Sequence, residues 1–124
     1  MNDQLKQEIL IQLGEEEKRT GRKMKLRRYL AEVNPHLVKA QGAVAQITRE
    51  DNPLDQKTLA AVNLAAALAS RVPMCIRNNM VAAQNNGLSL DEIGAIMAAA
   101  QFITGTAVLS ASLEGLQTII GDLG

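Results

Sequence analysis

The residues with the clearest potential for chemistry lie between Arg71 and Gly87, in the sequence RVPMCIRNNMVAAQNNG. Pro73 suits the first position of a helix, where no backbone N–H is needed. Cys75 then falls in the first turn and Asn79 one turn later, so both side chains project from the same helix face. A thiol paired with a histidine at this spacing would be an activated nucleophile. Asparagine cannot accept a proton, so the segment has the outline of a redox site without its base.

Cys75 has two interpretations. A position near a helix N-terminus favours the reactive thiolate, and Arg71 or Arg77 could add positive charge and bind a substrate. A free cysteine is more often a small buried apolar residue. We favour the buried interpretation because the proton-transfer partners are missing. Asn79 could orient a ligand or satisfy a helix terminus, and we favour the structural use.

The composition predicts one domain covering residues 1–124. The chain is 47% hydrophobic but only 2% aromatic, so its core must be aliphatic. A single cysteine excludes an intramolecular disulfide and a cysteine-rich zinc site, and it is typical of a reducing cytoplasm. The first residues lack the layout of a signal peptide. No carboxylate pair with metal-ligand spacing and no glycine-rich phosphate loop is visible, so we expect no metal and no cofactor.

The positive charge is concentrated near the N-terminus. Seven of the thirteen Lys and Arg residues lie between Lys18 and Arg28. Such a cluster could bind phosphate, but Tyr29 is the only aromatic residue nearby to contact bases. Because Glu15–Glu17 precede the cluster, a salt-bridged surface or a contact between subunits is favoured over nucleic-acid binding. We interpret residues 1–28 as a charged helical extension. We expect it to dock on the rest of the chain, or on a neighbouring subunit, through the apolar positions Leu5, Ile9 and Leu13.

Apolar positions recur at helical spacing throughout, which predicts an all-α bundle. Helix starts are indicated at Asn34, Asp55, Pro73 and Ser89, and a helix end at Gly87. The helix after Asp55 should bury the apolar positions Leu59, Val62, Ala66 and Ala69, with Leu64 and Leu68 beside them. The sequence Ser89-Leu90-Asp91-Glu92 predicts a capping box.

Ile93–Leu113 is an uncharged run long enough to cross a bilayer. The run contains several polar residues, and no Lys, Arg, Trp or Tyr anchors its ends. We therefore expect no membrane partner, and instead two buried helices that meet near Gly105. The long apolar helix Leu90–Ile103 and the stripe Leu109–Ile120 also predict a homo-oligomer, because large apolar patches mark interfaces.

From Leu54 to about Leu109 the chain resembles the alkylhydroperoxidase D-like and carboxymuconolactone decarboxylase family. Members show a Leu-Asp turn, an alanine-rich helix, a cysteine-bearing helix, and then Gly-x-[Ser/Thr]-x-[Asp/Glu]-Glu-Ile. The matching positions here are Leu54-Asp55, Ala60–Ala69, Cys75-Ile76, Gly87 and Ser89–Ile93. The resemblance implies a compact helical bundle with its family-like core at residues 54–109, assembled as a trimer or hexamer.

The peroxidase branch of that family carries Glu-x11-Cys-x2-Cys-x3-His. Aligned on Cys75, the first cysteine falls at Val72, the histidine at Asn79 and the glutamate at Ala60. In the family the second cysteine attacks peroxide and the first resolves the sulfenate, a task that valine cannot perform. The resemblance thus implies a degenerate member that acts by binding or assembly and is not an active peroxidase. An enzyme of the decarboxylase or one-cysteine type, with a pocket near Cys75, is the alternative.

Overall fold

The computed structural model describes residues 2–124 of the chain. These residues form seven α-helices and no strand, which confirms the all-α prediction. In chain order the helices are α1 (Asn2–Thr20), α2 (Lys25–Val33), α3 (Pro35–Arg49), α4 (Gln56–Ser70), α5 (Pro73–Asn85), α6 (Leu90–Ala111) and α7 (Leu113–Ile120).

The helices form two compact units, divided between Pro53 and Leu54. Helices α1–α3 make up the first unit and α4–α7 the second. The division coincides with the start of the family-like core expected from the sequence. The assignment of residues 1–124 to a single domain stays a prediction.

In the first unit, α1 packs against α2 and α3. The buried core consists of Ile9, Leu13, Ala31 and Val38, and Leu5 packs against it. This confirms the docking of the N-terminal helix through its apolar positions. The helix runs through Gly14 and ends at Gly21, whose φ of +71° is a conformation that glycine adopts without steric cost.

In the second unit, α4 packs against both α5 and α6. Leu64 is completely buried at the centre of the core, with Ala60, Ala83, Leu88 and Ile93 around it. The face predicted for α4 was right at Leu59, and the adjacent Leu64 is buried and Leu68 half-buried. The prediction was wrong at Val62, Ala66 and Ala69, which are exposed. Helix α4 carries alanine and leucine on every side, so the spacing of apolar residues alone could not identify the buried face.

The predicted helix starts are confirmed by their hydrogen bonds. The Asp55 carboxylate accepts from the Thr58 N–H at 2.8 Å, which lowers the pKa of Asp55. Ser89 and Glu92 form the reciprocal capping box, with bonds of 3.1 and 3.0 Å. Gly87 follows α5 with a φ of +92°, as its place after a helix end predicted. These residues mark the start of α4, the end of α5 and the start of α6.

A surface ion pair joins two of these helix starts. Lys57, in the first turn of α4, lies 3.3 Å from the Glu92 carboxylate of the capping box. The Ser89 N–H and the Lys57 ammonium both lower the pKa of Glu92, the backbone contact more strongly. The pair therefore connects the N-terminus of α4 to that of α6 within the second unit.

The prediction of two buried helices meeting near Gly105 was wrong. A single helix, α6, continues through Gly105 to Ala111, and the break comes at Ser112. Glycine in a helix interior costs only about 0.5–1 kcal/mol relative to alanine, and the helix-forming residues on both sides outweigh this cost. The helix is also mostly exposed: Ile93 is its only buried residue.

Candidate functional site

Helix α5 carries the candidate thiol in its first turn. Val72, in an extended conformation, precedes the helix, and its carbonyl accepts from the Ile76 N–H at 3.0 Å. Pro73 occupies the first helical position, as predicted. Cys75 is a free thiol, and its side chain is exposed in the single chain. The favoured interpretation of a buried cysteine was therefore wrong, because the first turn of α5 lies outside the core that α4, α5 and α6 share.

Asn79 uses its side chain within the helix. Its amide Nδ2 donates to the backbone carbonyl oxygen of Cys75, at 2.8 Å. The hydrogen bond joins the two residues that the sequence places on one face, but through the cysteine backbone and not its thiol. An amide neither accepts nor releases a proton at physiological pH, so this contact cannot activate Cys75.

The two candidate arginines lie on either side of Cys75 in the sequence and belong to different elements. Arg71 closes α4 in a left-handed conformation, with a φ of +61°, and its N–H donates to the Leu68 carbonyl. Arg77 lies within α5, two residues after Cys75, and both arginines are exposed. Neither forms an ion pair with a carboxylate in the described part of the chain. Their assignment to substrate binding stays a prediction.

The positions aligned with the other peroxidase groups have different environments. Ala60 is buried in the core of the second unit, in the same cluster as Leu64 and Ala83. Val72 is about half exposed at the start of α5. A carboxylate at Ala60 would thus have to share a dry apolar core, where an unpaired charge is strongly disfavoured. The fold places no carboxylate, histidine or second thiol at the aligned positions.

The described residues contain no cluster of side chains that could bind a metal ion. Within residues 2–124, no three His, Cys, Asp or Glu side chains lie close enough together to hold a metal ion. The lone histidine, His36, lies in the first turn of α3 and is exposed.

The second unit exposes a large apolar surface along α6 and α7, which we call the α6–α7 face. Its residues are Leu90, Met97, Phe102, Ile103, Val108, Leu109, Leu113, Leu116, Ile119 and Ile120. The half-buried and buried positions of α6 are Ile93, Ile96, Ala100 and Thr104, which form one stripe. From Gly105 onward every residue of α6 is exposed. Sequence reasoning found this apolar stretch but assigned part of it to the core.

The same stretch is long and apolar enough to cross a membrane. Over Leu90–Ile120 the mean hydropathy reaches 1.6, and 6% of that window is buried. Length and composition are weak evidence for a span, since a core helix of a soluble protein passes the same test. Leu90–Ile120 is therefore an exposed apolar stretch, and this alone does not make the chain a membrane protein.

Comparison with known proteins identifies the family. The sequence model of the carboxymuconolactone decarboxylase family matches residues 35–118, which is more than half of the chain. The match begins at α3 and thus extends further toward the N-terminus than the resemblance seen in the sequence. A comparison with curated proteins finds no match. The helical architecture, the order of the caps and the family match together show that the chain belongs to the carboxymuconolactone decarboxylase family.

Proposed function

We propose that this chain is a family member that has lost the dithiol peroxidase cycle and acts through assembly. The observation that supports the loss is the set of residues at the aligned positions, Val72, Asn79 and Ala60, around a single thiol. A dithiol cycle oxidises one cysteine to a sulfenate and resolves it on a second, with a base to move the proton. Here the second thiol and the aligned base are both absent.

The local structure supports the same conclusion. The Asn79 amide bonds to the Cys75 carbonyl, and the side chain therefore serves the helix backbone. Ala60 is packed in the core, which leaves no room for a solvated glutamate. Both positions are used by the fold in ways that do not require chemistry at Cys75.

Assembly is supported by the α6–α7 face. This many exposed large apolar side chains on two successive helices are typical of an interface, because exposing them to water costs free energy. The occupant that we propose is the same face of a second subunit, in a trimer or hexamer as the family resemblance implies. A cytoplasmic location is proposed with it, since one free exposed cysteine is suited to a reducing compartment.

Restoring the missing groups tests the loss of the cycle. Val72→Cys and Asn79→His together supply a resolving thiol and a base, both at positions that are not buried. We expect this double variant to reduce alkyl hydroperoxide with a dithiol reductant, and the unmodified chain not to. The same double variant carrying Cys75→Ser is the matched control, and it should be inactive.

Adding Ala60→Glu to the double variant restores the third aligned group, but it places a carboxylate in the core. A carboxylate in the core should lower the free energy of unfolding, so activity is compared only after circular dichroism shows a folded protein. An inactive, folded double variant would show that the alignment on Cys75 is wrong.

A small-molecule enzyme using Cys75 is the second candidate function. The observation that favours it is the exposure of the thiol in the first turn of α5, with Arg71 and Arg77 close in sequence. In this case a carboxylate substrate would slow the alkylation of Cys75 by iodoacetamide. Replacing both arginines with glutamine should then abolish the protection.

A further inference from the structure

The first unit contains a concave basic surface at the corner between α1 and α2. A cavity of about 370 Å³ lies there, and its cationic lining residues are Lys18, Arg22, Lys23 and Arg28. This volume is within the range of about 300–1,000 Å³ that is typical of small-molecule sites. We call this surface the corner pocket.

Glu17 is the only acidic residue of the corner pocket, and its charge is already compensated. Its carboxylate accepts from the Met24 N–H at 2.7 Å and from the Arg28 Nε at 3.1 Å. The Arg28 contact, followed by the Met24 N–H, lowers the pKa of Glu17 from 4.5 to about 2. Glu17 thus fixes the α1–α2 loop through Met24 and Arg28, and it also attracts Lys23, whose charge contributes the smallest part of the lowered pKa of Glu17.

The remaining cations of the corner pocket lack a close contact with a carboxylate in the described residues. Lys18, Arg22 and Lys23 are exposed, and none forms an ion pair with a carboxylate of the described residues. Other basic residues of this segment do have partners: Arg27 lies 3.7 Å and Arg19 3.9 Å from Glu16. Glu16 and Glu17 therefore pair with Arg19, Arg27 and Arg28. Lys18, Arg22 and Lys23 are left without a close ion pair in the described part of the chain.

The loop conformation brings these charges together. Gly21, with its positive φ, ends α1, and the Glu17 contacts fix Met24 and Arg28 against the end of that helix. Arg22 and Lys23 lie in the short loop between these fixed points. Arg28 uses its Nε and one Nη on Glu17, and a guanidinium has further N–H donors available.

We propose that the corner pocket binds a small anion carrying two or more adjacent phosphate groups. The cations that line this one cavity repel one another, and a bound multivalent anion would reduce the repulsion. Phosphate oxygens accept several hydrogen bonds at once from lysine and arginine. The concave shape favours a compact ligand over a duplex, and the segment offers no aromatic platform for bases beyond Tyr29.

Titration calorimetry with tripolyphosphate tests the proposal on the full chain. We expect saturable binding that weakens as salt is added, because exposed charges are screened. The variant K18Q/R22Q/K23Q should bind about tenfold more weakly, as three exposed charge pairs are lost. The matched control K25Q/K39Q/R49Q removes the same charge from exposed positions outside the pocket, and should weaken binding by less than about threefold.

Absence of saturable binding by the unmodified chain would overturn the proposal, and so would equal weakening in the two triple variants. If K18Q/R22Q/K23Q fails to fold, K23Q alone decides the matter, because Lys23 lies outside the helices; an unchanged affinity would overturn the proposal.

Two further probes identify the class of ligand. Phosphatidylcholine vesicles containing phosphatidylinositol bisphosphate separate a lipid headgroup from a free anion. Vesicle binding that tripolyphosphate displaces would assign the pocket to the headgroup, whereas tripolyphosphate binding without vesicle binding would assign it to a free anion. Binding of a DNA duplex without binding of tripolyphosphate would overturn the proposal.

Discussion

Replacing Leu109 with lysine should separate the subunits of the proposed assembly. Leu109 lies on the α6–α7 face and is 75% exposed in the single chain. Complete burial of a leucine side chain contributes about 1.5–3 kcal/mol, so covering the remaining surface is worth about 1.5 kcal/mol per subunit. Two copies meeting at one contact then contribute about 3 kcal/mol, which corresponds to a roughly hundredfold change in the dissociation constant. Burying the new charge would increase this effect.

Light scattering coupled to size-exclusion chromatography, over a range of protein concentrations, measures the dissociation. Ile11→Lys is the matched control, since Ile11 is an aliphatic residue 62% exposed on α1 and outside the family match. We expect the control to retain the mass of the unmodified assembly while Leu109→Lys moves toward the monomer. An unmodified chain that is already monomeric, or equal dissociation in both variants, would refute the reasoning.

Four further predictions concern stability and the thiol. The Glu17–Arg28 contact should stabilise the fold above about pH 4.5, and this contribution should fade as the pH falls toward 2, because the pKa of Glu17 is lowered on folding. Urea unfolding of the unmodified chain and of Glu17→Gln across this pH range measures the contribution. A stability difference between the two proteins that grows toward low pH would contradict the prediction. Leu64→Ala should lower the free energy of unfolding by about 2–5 kcal/mol in chemical denaturation, because Leu64 is completely buried. Ser89→Ala should cost about 1 kcal/mol in the same assay through loss of the capping box. Cys75 should react with Ellman's reagent in the absence of denaturant, and protection until unfolding would contradict its exposure.

The parts of the fold that the sequence predicted correctly are set by local interactions. Asp55, Ser89 and Gly87 act within one turn of their own helix, so their residue types are sufficient to place helix ends. The same holds for Pro73, which opens α5 and thereby determines where Cys75 lies along the helix.

The parts that the sequence did not predict depend on neighbours distant in the chain. Whether Cys75 is buried is decided by which turns of α5 meet α4, and apolar periodicity does not contain that information. Gly105 is a helix breaker only where the flanking residues disfavour helix, and here they favour it. The corner pocket requires Glu17 and Arg28 to meet across a turn, whereas the sequence suggested pairing along one helix.

The family assignment and the proposed loss of activity come from different observations. The match over residues 35–118 shows the family, and it does not report on chemistry at individual positions. The proposed loss of activity rests on the residues at those positions and on the Asn79 contact. Family membership therefore supports the fold of this chain, whereas peroxidase activity depends on the residues at the individual aligned positions.

A coupled peroxide-reduction assay on the unmodified chain tests the central claim most directly. The chain is supplied with an alkyl hydroperoxide and a dithiol reductant with its regenerating system, and Cys75→Ser is measured in parallel. We predict no turnover above the rate without protein, and no difference between the two proteins. Sustained turnover by the unmodified chain that Cys75→Ser abolishes would contradict the claim, because it would show that one thiol completes the cycle without the aligned partners.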